Sequence, residues 1–320
     1  MSRRRREPNF RSLLEALVAE LPEETLVLRE LAARAQESLV DMLSKQVGTE
    51  PELLSLLASA LNDLANRLSD LGRHEPALVA AEQAVARYRE LAEQRPDAFR
   101  PALAGSLGTL ANSRSALAKG RSALRQRRLA LAAAYQATAH YRVLDAQRPG
   151  AFRPGLAASL GILAATLSDL ARHERALSVA EQAAALYREL AARWPDAFRP
   201  GLAASLNNLT ATLTILGQHE PALSVAEQAV AIRRELAARS PDAFWPVLAC
   251  SLAIQANCLR GLNRVVDALT ASREAVAKLA PAFVSSLPHL TTGCVRYLRN
   301  TCNCARALVL NGLPTRSWYA

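Results

Sequence analysis

Aromatic side chains supply only 5% of the 320 residues, and methionine occurs twice. Alanine and leucine dominate instead, so a core must be assembled from small and aliphatic side chains. No stretch approaches eighteen uninterrupted apolar residues, which argues against a membrane-spanning helix. Alternating β-branched runs are also missing, so strands are not expected and the chain reads as all-α. The five cysteines, Cys250, Cys258, Cys294, Cys302 and Cys304, are odd in number and confined to the last quarter. That is not the pattern of a secreted disulfide framework, and it points to a reducing compartment. The opening MSRRRREPNF carries the arginines of a signal peptide, but the following LLEALVAELPEE is acidic where an apolar segment belongs. A soluble cytoplasmic protein is the expectation.

What the chain has is internal repetition. Gly217-Gln218-His219-Glu220-Pro221-Ala222-Leu223 recurs as Gly72 to Leu78 and, relaxed, as Ala171 to Leu177. A second anchor, Pro-x-Ala-Phe, falls at Phe99, Phe152, Phe198, Phe244 and, weakened, at Phe283, with steps of 53, 46, 46 and 39 residues. The steps differ by seven, close to two helical turns, so a helix is expected to lengthen by about 10 Å with little rotation of its buried face. A fixed period of this size marks a solenoid.

Each repeat reads as two helices. The first is placed near 51–71, 101–118, 154–171, 200–216 and 246–261. In the first copy Leu57, Leu61, Leu64, Leu68 and Leu71 recur at helical spacing. The second helix begins near His74-Glu75-Pro76, with acid and proline in its first turn, and is closed by Arg95-Pro96-Asp97. The phenylalanine that follows is expected to wedge between consecutive pairs. Residues 1–9 read as a disordered basic arm and 10–50 as capping helices. The repeats then run about 51–98, 99–151, 152–197, 198–243 and 244–282, and 283–320 reads as a degenerate repeat or a C-terminal cap. A solenoid needs such covers at its ends.

With Leu209, Gly217, Ala222, Leu223 and Ala229 in register, the unit resembles the tetratricopeptide repeat, and most closely the lengthened variety of kinesin light chains and bacterial signalling proteins. The small-residue column Ala77, Ala130, Ala176, Ala222 and Ala268 holds in all five copies, while the glycine column reads Gly72, Ala118, Ala171, Gly217 and Leu262. The resemblance implies a right-handed superhelical solenoid of antiparallel helix pairs. It also implies a non-catalytic scaffold or sensor whose first helices line a concave groove for a peptide or helix of a protein partner.

The groove positions read, in three columns, Asn62, Gly108, Gly161, Asn207, Ala253; then Asp63, Thr109, Ile162, Asn208, Ile254; then Asn66, Asn112, Ala165, Ala211, Asn257. None is Lys or Arg, which rules out a carboxylate clamp of the chaperone-binding type. An asparagine amide both donates and accepts, so a ladder of them suits the backbone of an extended ligand. Asp70 and Asp169 add an acidic tint, so a polar or basic peptide is the expected occupant.

Charge alternates along the chain. Residues 7–97 carry nine basic and seventeen acidic side chains, whereas residues 98–144 carry eight basic and no acidic ones. The second repeat holds the seven-residue insertion, and Arg114, Lys119, Arg121, Arg125, Arg127 and Arg128 form a basic patch in and beside it. An acidic partner or self-association is expected there. A nucleic-acid-associated regulator is the alternative function and a self-assembling rod another, although no aromatic residues interleave with the patch for base stacking.

Catalytic patterns are lacking. His74-Glu75, His173-Glu174 and His219-Glu220 open like a zinc-protease helix, but Leu78, Leu177 and Leu223 stand where the second histidine belongs. There is no phosphate-binding loop, no nucleophile elbow and no paired C-x-x-C. No enzyme, cofactor or metal is expected. His289, Cys294, Cys302 and Cys304 are read as packing residues, and Trp318 and Tyr319 as folding back on the last helix.

Overall fold

The computed structural model describes residues 26–46, 51–118, 122–148 and 150–286. The basic arm, the first expected capping helix, Lys119, Arg121 and everything after Ser286 lie outside the described residues, including His289, Cys294, Cys302, Cys304, Trp318 and Tyr319. The described residues form eleven helices and no strand. They fall into two compact units, Met1–Ala171 and Arg172–Ala320.

The first unit begins with the capping helix α1 (Leu26–Gln46), followed by α2 (Pro51–Asp70) and α3 (His74–Gln94), α4 (Pro96–Ala116) and α5 (Ala123–Gln147), and α6 (Arg153–Asp169). The second contains α7 (His173–Arg193), α8 (Pro195–Ile215), α9 (His219–Arg239), α10 (Pro241–Gly261) and α11 (Val265–Ser286). Within each unit consecutive helices pack side by side. First helices of successive repeats also touch, α2 against α4 and α4 against α6 in one unit and α8 against α10 in the other.

Three of the five first helices, α4, α8 and α10, start about a turn earlier than the sequence reading places them, while α2 starts at Pro51 as read. Pro96, Pro195 and Pro241 stand at the helix start, where a missing N–H costs nothing. The helix then absorbs Pro101, Pro200 or Pro246 in its second turn. The phenylalanines therefore ride in the first turn, half-buried. Phe244 packs against the core of Val230, Ala237, Leu248 and Leu252, and Phe198 meets Trp194 edge-on at 6.1 Å. The exception is α6, because the aspartate of the Arg-Pro-Asp-Ala-Phe motif is Gly150 there. Its φ of 91° breaks the helix, which resumes only at Arg153. Phe283 lies inside α11, which runs on to Ser286.

The alanine column is the seam of every pair: Ala77, Ala130, Ala176, Ala222 and Ala268 are all buried. The turn column differs by one residue from the sequence reading. Positive φ falls at Gly72, Ala171, Gly217 and Asn263, not at Leu262, and Asn is the residue after Gly that best tolerates this region. Ala118 is not among the positive-φ residues. In α1 the buried stripe runs through Ala32, Ala35, Leu39 and Leu43, with Leu31 facing outward. Gln36 sits within the stripe, donating Nε2–H to the Ala60 carbonyl at 2.9 Å.

The seven-residue insertion is split. The connection between α4 and α5 spans 117–122, six residues where the other pairs use three, and α5 has 25 residues where α3, α7 and α9 have 21. Three residues go into the turn and four into the helix, which lengthens by about 6 Å instead of 10. The extra turn lies ahead of Ala130, so it projects past the level at which the other second helices begin.

Candidate functional site

The three groove columns occupy different environments. The first is the seam between successive first helices. A β-carbon on Gly108 would stand 3.2 Å from Ile162 Cδ1 in the first unit, and Asn207 donates Nδ2–H to Ser251 Oγ at 2.8 Å in the second. Ser251 belongs to a column that the sequence reading passed over: Ser106, Ser159, Ser205 and Ser251 recur at the repeat spacing and are all buried. Asn62 and Ser106 stand 44 residues apart, the same spacing as Asn207 and Ser251. Asn62 Oδ1 and Ser106 Oγ are both buried without a partner. Asn62 and Asn207 thus belong to the helix–helix seam.

The second and third columns face outward. Asp63, Asn66, Asp70 and Asn112 are exposed and Thr109 half-buried in the first unit, as are Asn208 (exposed) and Asn257 (half-buried) in the second. Asn66 on α2 and Asn112 on α4 hold the same register on adjacent helices, and neither side chain is bonded to another described residue. Asn257 Oδ1 lies 3.5 Å from Arg260 Nη1.

Asp63 and Asp169 on this face each have an arginine close by. Partial desolvation raises the Asp63 carboxyl above the ordinary aspartate range while Arg67 pulls it back. Asp169 is raised for the same reason and lowered by Arg127. Arg127 also donates Nη1–H to the Asp169 carbonyl at 3.1 Å. Arg127 occupies the position that His74, His173 and His219 hold in other repeats. Where His219 packs its ring on Gly261 at the end of α10, Arg127 reaches the corresponding end of α6.

The basic patch divides in the same way. Arg114 is largely covered, ion-paired to Glu82 at 2.7 Å and bonded to Gln126. With Arg127 also committed, Arg125 and Arg128 remain as its described exposed cations. Together with Leu124 and Leu129 they line an open notch of about 490 Å³.

A profile of the tetratricopeptide repeat matches residues 57–97 and 202–242, one α2–α3 pair and one α8–α9 pair. The chain carries tetratricopeptide repeats. Solved structures with this architecture include BtubC (BKLC) from P. vanneervenii, with a TM-score of 0.59 and 18% identity over 79% of this chain and 92% of that one. A Podosopora anserina kinesin-light-chain-type protein of nearly identical TPR-like repeats superposes with a TM-score of 0.51 and 21% identity over 73% of this chain and 99% of that one. A Rap protein complexed with Competence and Sporulation Factor gives a TM-score of 0.52 and 14% identity, covering 94% of this chain and 87% of that one. No curated protein matches by sequence. At these identities the likeness establishes the all-α solenoid of helix pairs, a fold that serves generally as a protein-interaction scaffold.

Among the described residues no group of three or more His, Cys, Asp or Glu side chains is placed to hold a metal ion, and no helix is long and apolar enough to cross a membrane. Cys258 is buried against Thr214 Oγ1 at 3.3 Å, and burial raises its thiol pKa.

Proposed function

We propose that this TPR protein is a non-catalytic scaffold or sensor that takes an extended peptide or helix of a protein partner along the outward face of its first helices. The observation that carries the reading is the pair Asn66 and Asn112: exposed, in equal register on α2 and α4, and unbonded to the rest of the described chain. Helices packed about 8–10 Å apart present such amides at a spacing that an extended backbone can bridge, each offering donors and an acceptor. A neighbour of the same fold is complexed with Competence and Sporulation Factor, which supports ligand capture by this architecture. Asp63 and Asp169 each lie under the influence of an arginine, so we assign selectivity to the amides and not to the expected acidic tint. We read the setting as cytoplasmic signalling, on the sequence grounds given above.

The test is selection of peptides from a random display library on the full chain, followed by affinity measurement at two salt concentrations. Selected peptides should lose at least tenfold in affinity for an Asn66→Ala/Asn112→Ala variant, in keeping with about 1.5 kcal/mol for lost hydrogen bonds. Ligands indifferent to the variant and stripped by salt would transfer the function to the arginines.

A further inference from the structure

The second repeat lacks two carboxylates that later repeats use to balance arginine. In the fourth repeat Arg199 on α8 pairs with Glu235 on α9 at 2.7 Å. The stretch around that glutamate reads Tyr88-Arg89-Glu90-Leu91 in the first repeat, Tyr187-Arg188-Glu189-Leu190 in the third and Arg233-Arg234-Glu235-Leu236 in the fourth, but Tyr141-Arg142-Val143-Leu144 in the second. Arg100 on α4 holds the position of Arg199, so its acid is replaced by Val143, which is 45% exposed, and no described carboxylate is bonded to Arg100. Likewise Arg234 on α9 pairs with Glu274 on α11 at 2.7 Å, whereas the corresponding Arg89 on α3 bonds the neutral amide of Gln136 on α5 at 3.2 Å.

Beside these two vacant positions stands a third base. His140 lies one turn from both Gln136 and Val143 on α5 and occupies the position of Leu186 and Ile232 in the next two repeats. In the fifth repeat this position faces the one held by Arg100, because Lys278 lies over the ring of Trp245 at 5.6 Å. Arg100 on α4 and Arg89 on α3 both act electrostatically on His140. Arg153, the first-turn charge of α6, is engaged by Asp145 of α5 at 3.9 Å. Asp97, a turn before Arg100, is exposed and bonded to neither arginine; its counterpart Asp196 pairs with Arg239, whose position is Gln147 here. One carboxylate against two guanidinium groups and an imidazole leaves an excess of positive charge, with Arg100 and His140 half-buried.

We propose that Arg89, Arg100 and His140 form an anion site within the first unit, taking a phosphate group in the place of the missing glutamate side chain. Two guanidinium groups and an imidazolium offer more donors and more charge than one carboxylate uses, and they match a phosphate dianion with its several acceptor oxygens. The site is separate from the basic notch, since His140 lies about 20 Å along α5 from Arg125 at 1.5 Å per residue. It does not depend on the asparagine face either.

NMR titration of the histidine Cε1–H resonances of the full chain, in sodium chloride and in sodium phosphate of equal ionic strength, tests this. Phosphate should raise the proton affinity of His140 by about threefold or more, since an anion beside an imidazole favours its charged form, and should leave the other histidines unchanged. Arg100→Gln should abolish the response. Val143→Glu, at an exposed position, should abolish it as well and should raise the proton affinity of His140 already in chloride, because the carboxylate then fills the site. O-phosphoserine acting at lower concentration than inorganic phosphate makes a phosphorylated side chain the source, equal concentrations make it free phosphate, and either result sustains the site. No response at His140, an equal response of every histidine, or a response that survives Arg100→Gln overturns the proposal.

Discussion

The ring of Tyr187 on α7 lies against Gly201 on α8 so closely that a β-carbon on the glycine would stand 2.5 Å from Tyr187 Cε1. Tyr141 meets Gly155 in the same way one repeat earlier. The pairing sets how near the second helix of one repeat comes to the first helix of the next. Gly201→Ala should therefore cost about 1–3 kcal/mol by overpacking, measured as a lowered urea midpoint. Combining it with Tyr187→Val should cost less than the sum of the two single changes, because the two residues share one contact. An unchanged midpoint for Gly201→Ala would mean that the ring is free to swing away. At the following junction the equivalent residues are Arg233 and Val247, and Arg233 is buried, with Nη2 donating to the Pro200 carbonyl at 3.2 Å.

A matched pair of leucines reports on the last described helix. Leu223 and Leu269 are each the fifth residue of a second helix, yet Leu223 is 4% exposed and Leu269 48%. Leu223 is followed by α10, whereas nothing described follows α11. Leu223→Ala should cost about 2–5 kcal/mol and Leu269→Ala about 0.5 kcal/mol in urea unfolding. Equal losses would show that the α11 face is covered in solution.

The repeat, its helix pairs and the alanine seam were legible because they rest on periodicity, which a single sequence displays many times over. Helix starts were less legible. Proline was read as a boundary, and the second proline of each first helix concealed the turn that Pro96, Pro195 and Pro241 had already begun. The insertion was legible as a count, but its division between turn and helix depends on where Ala130 docks. For the candidate site, the outward positions Asn66 and Asn112 followed from register. The capture of Asn207 by Ser251 did not, since it depends on an approach between helices 44 residues apart. The buried serine column was there to be found in the spacing of Ser106, Ser159, Ser205 and Ser251. Arg114 and Arg127 looked like free cations because sequence distance hides their partners on α3 and α6.

His140 on α5 gives the fold a pH dependence. Burial lowers its pKa, and Arg100 on α4 and Arg89 on α3 lower it further. The unfolded chain takes up the proton near the ordinary value of 6.5 while the folded chain resists it. This contribution to stability is present above that pH and is lost as pH falls through the lowered folded value. Between pH 7 and 5.5 the wild-type unfolding midpoint should fall more than that of His140→Gln. Parallel pH profiles would rule out His140 as the source.

The turn column supplies a prediction of opposite signs at equivalent positions. Ala171 has φ 56° where Gly72 and Gly217 have 72° and 74°. A left-handed conformation costs a residue with a β-carbon about 1–2 kcal/mol. Glycine avoids that strain but adds about 0.5–1 kcal/mol of freedom to the unfolded chain. Ala171→Gly should therefore stabilise by about 0.5–1 kcal/mol, and Gly217→Ala should destabilise by a similar amount. A β-carbon on Gly217 meets nothing within 4 Å, so its substitution measures backbone strain with no clash added. Asn263→Gly should change little, since asparagine at φ 59° already tolerates the region. Thermal unfolding of the three variants decides the matter. If Ala171→Gly lowers the midpoint, the turn there is held by contacts of the alanine methyl and the conformational account of this column is wrong.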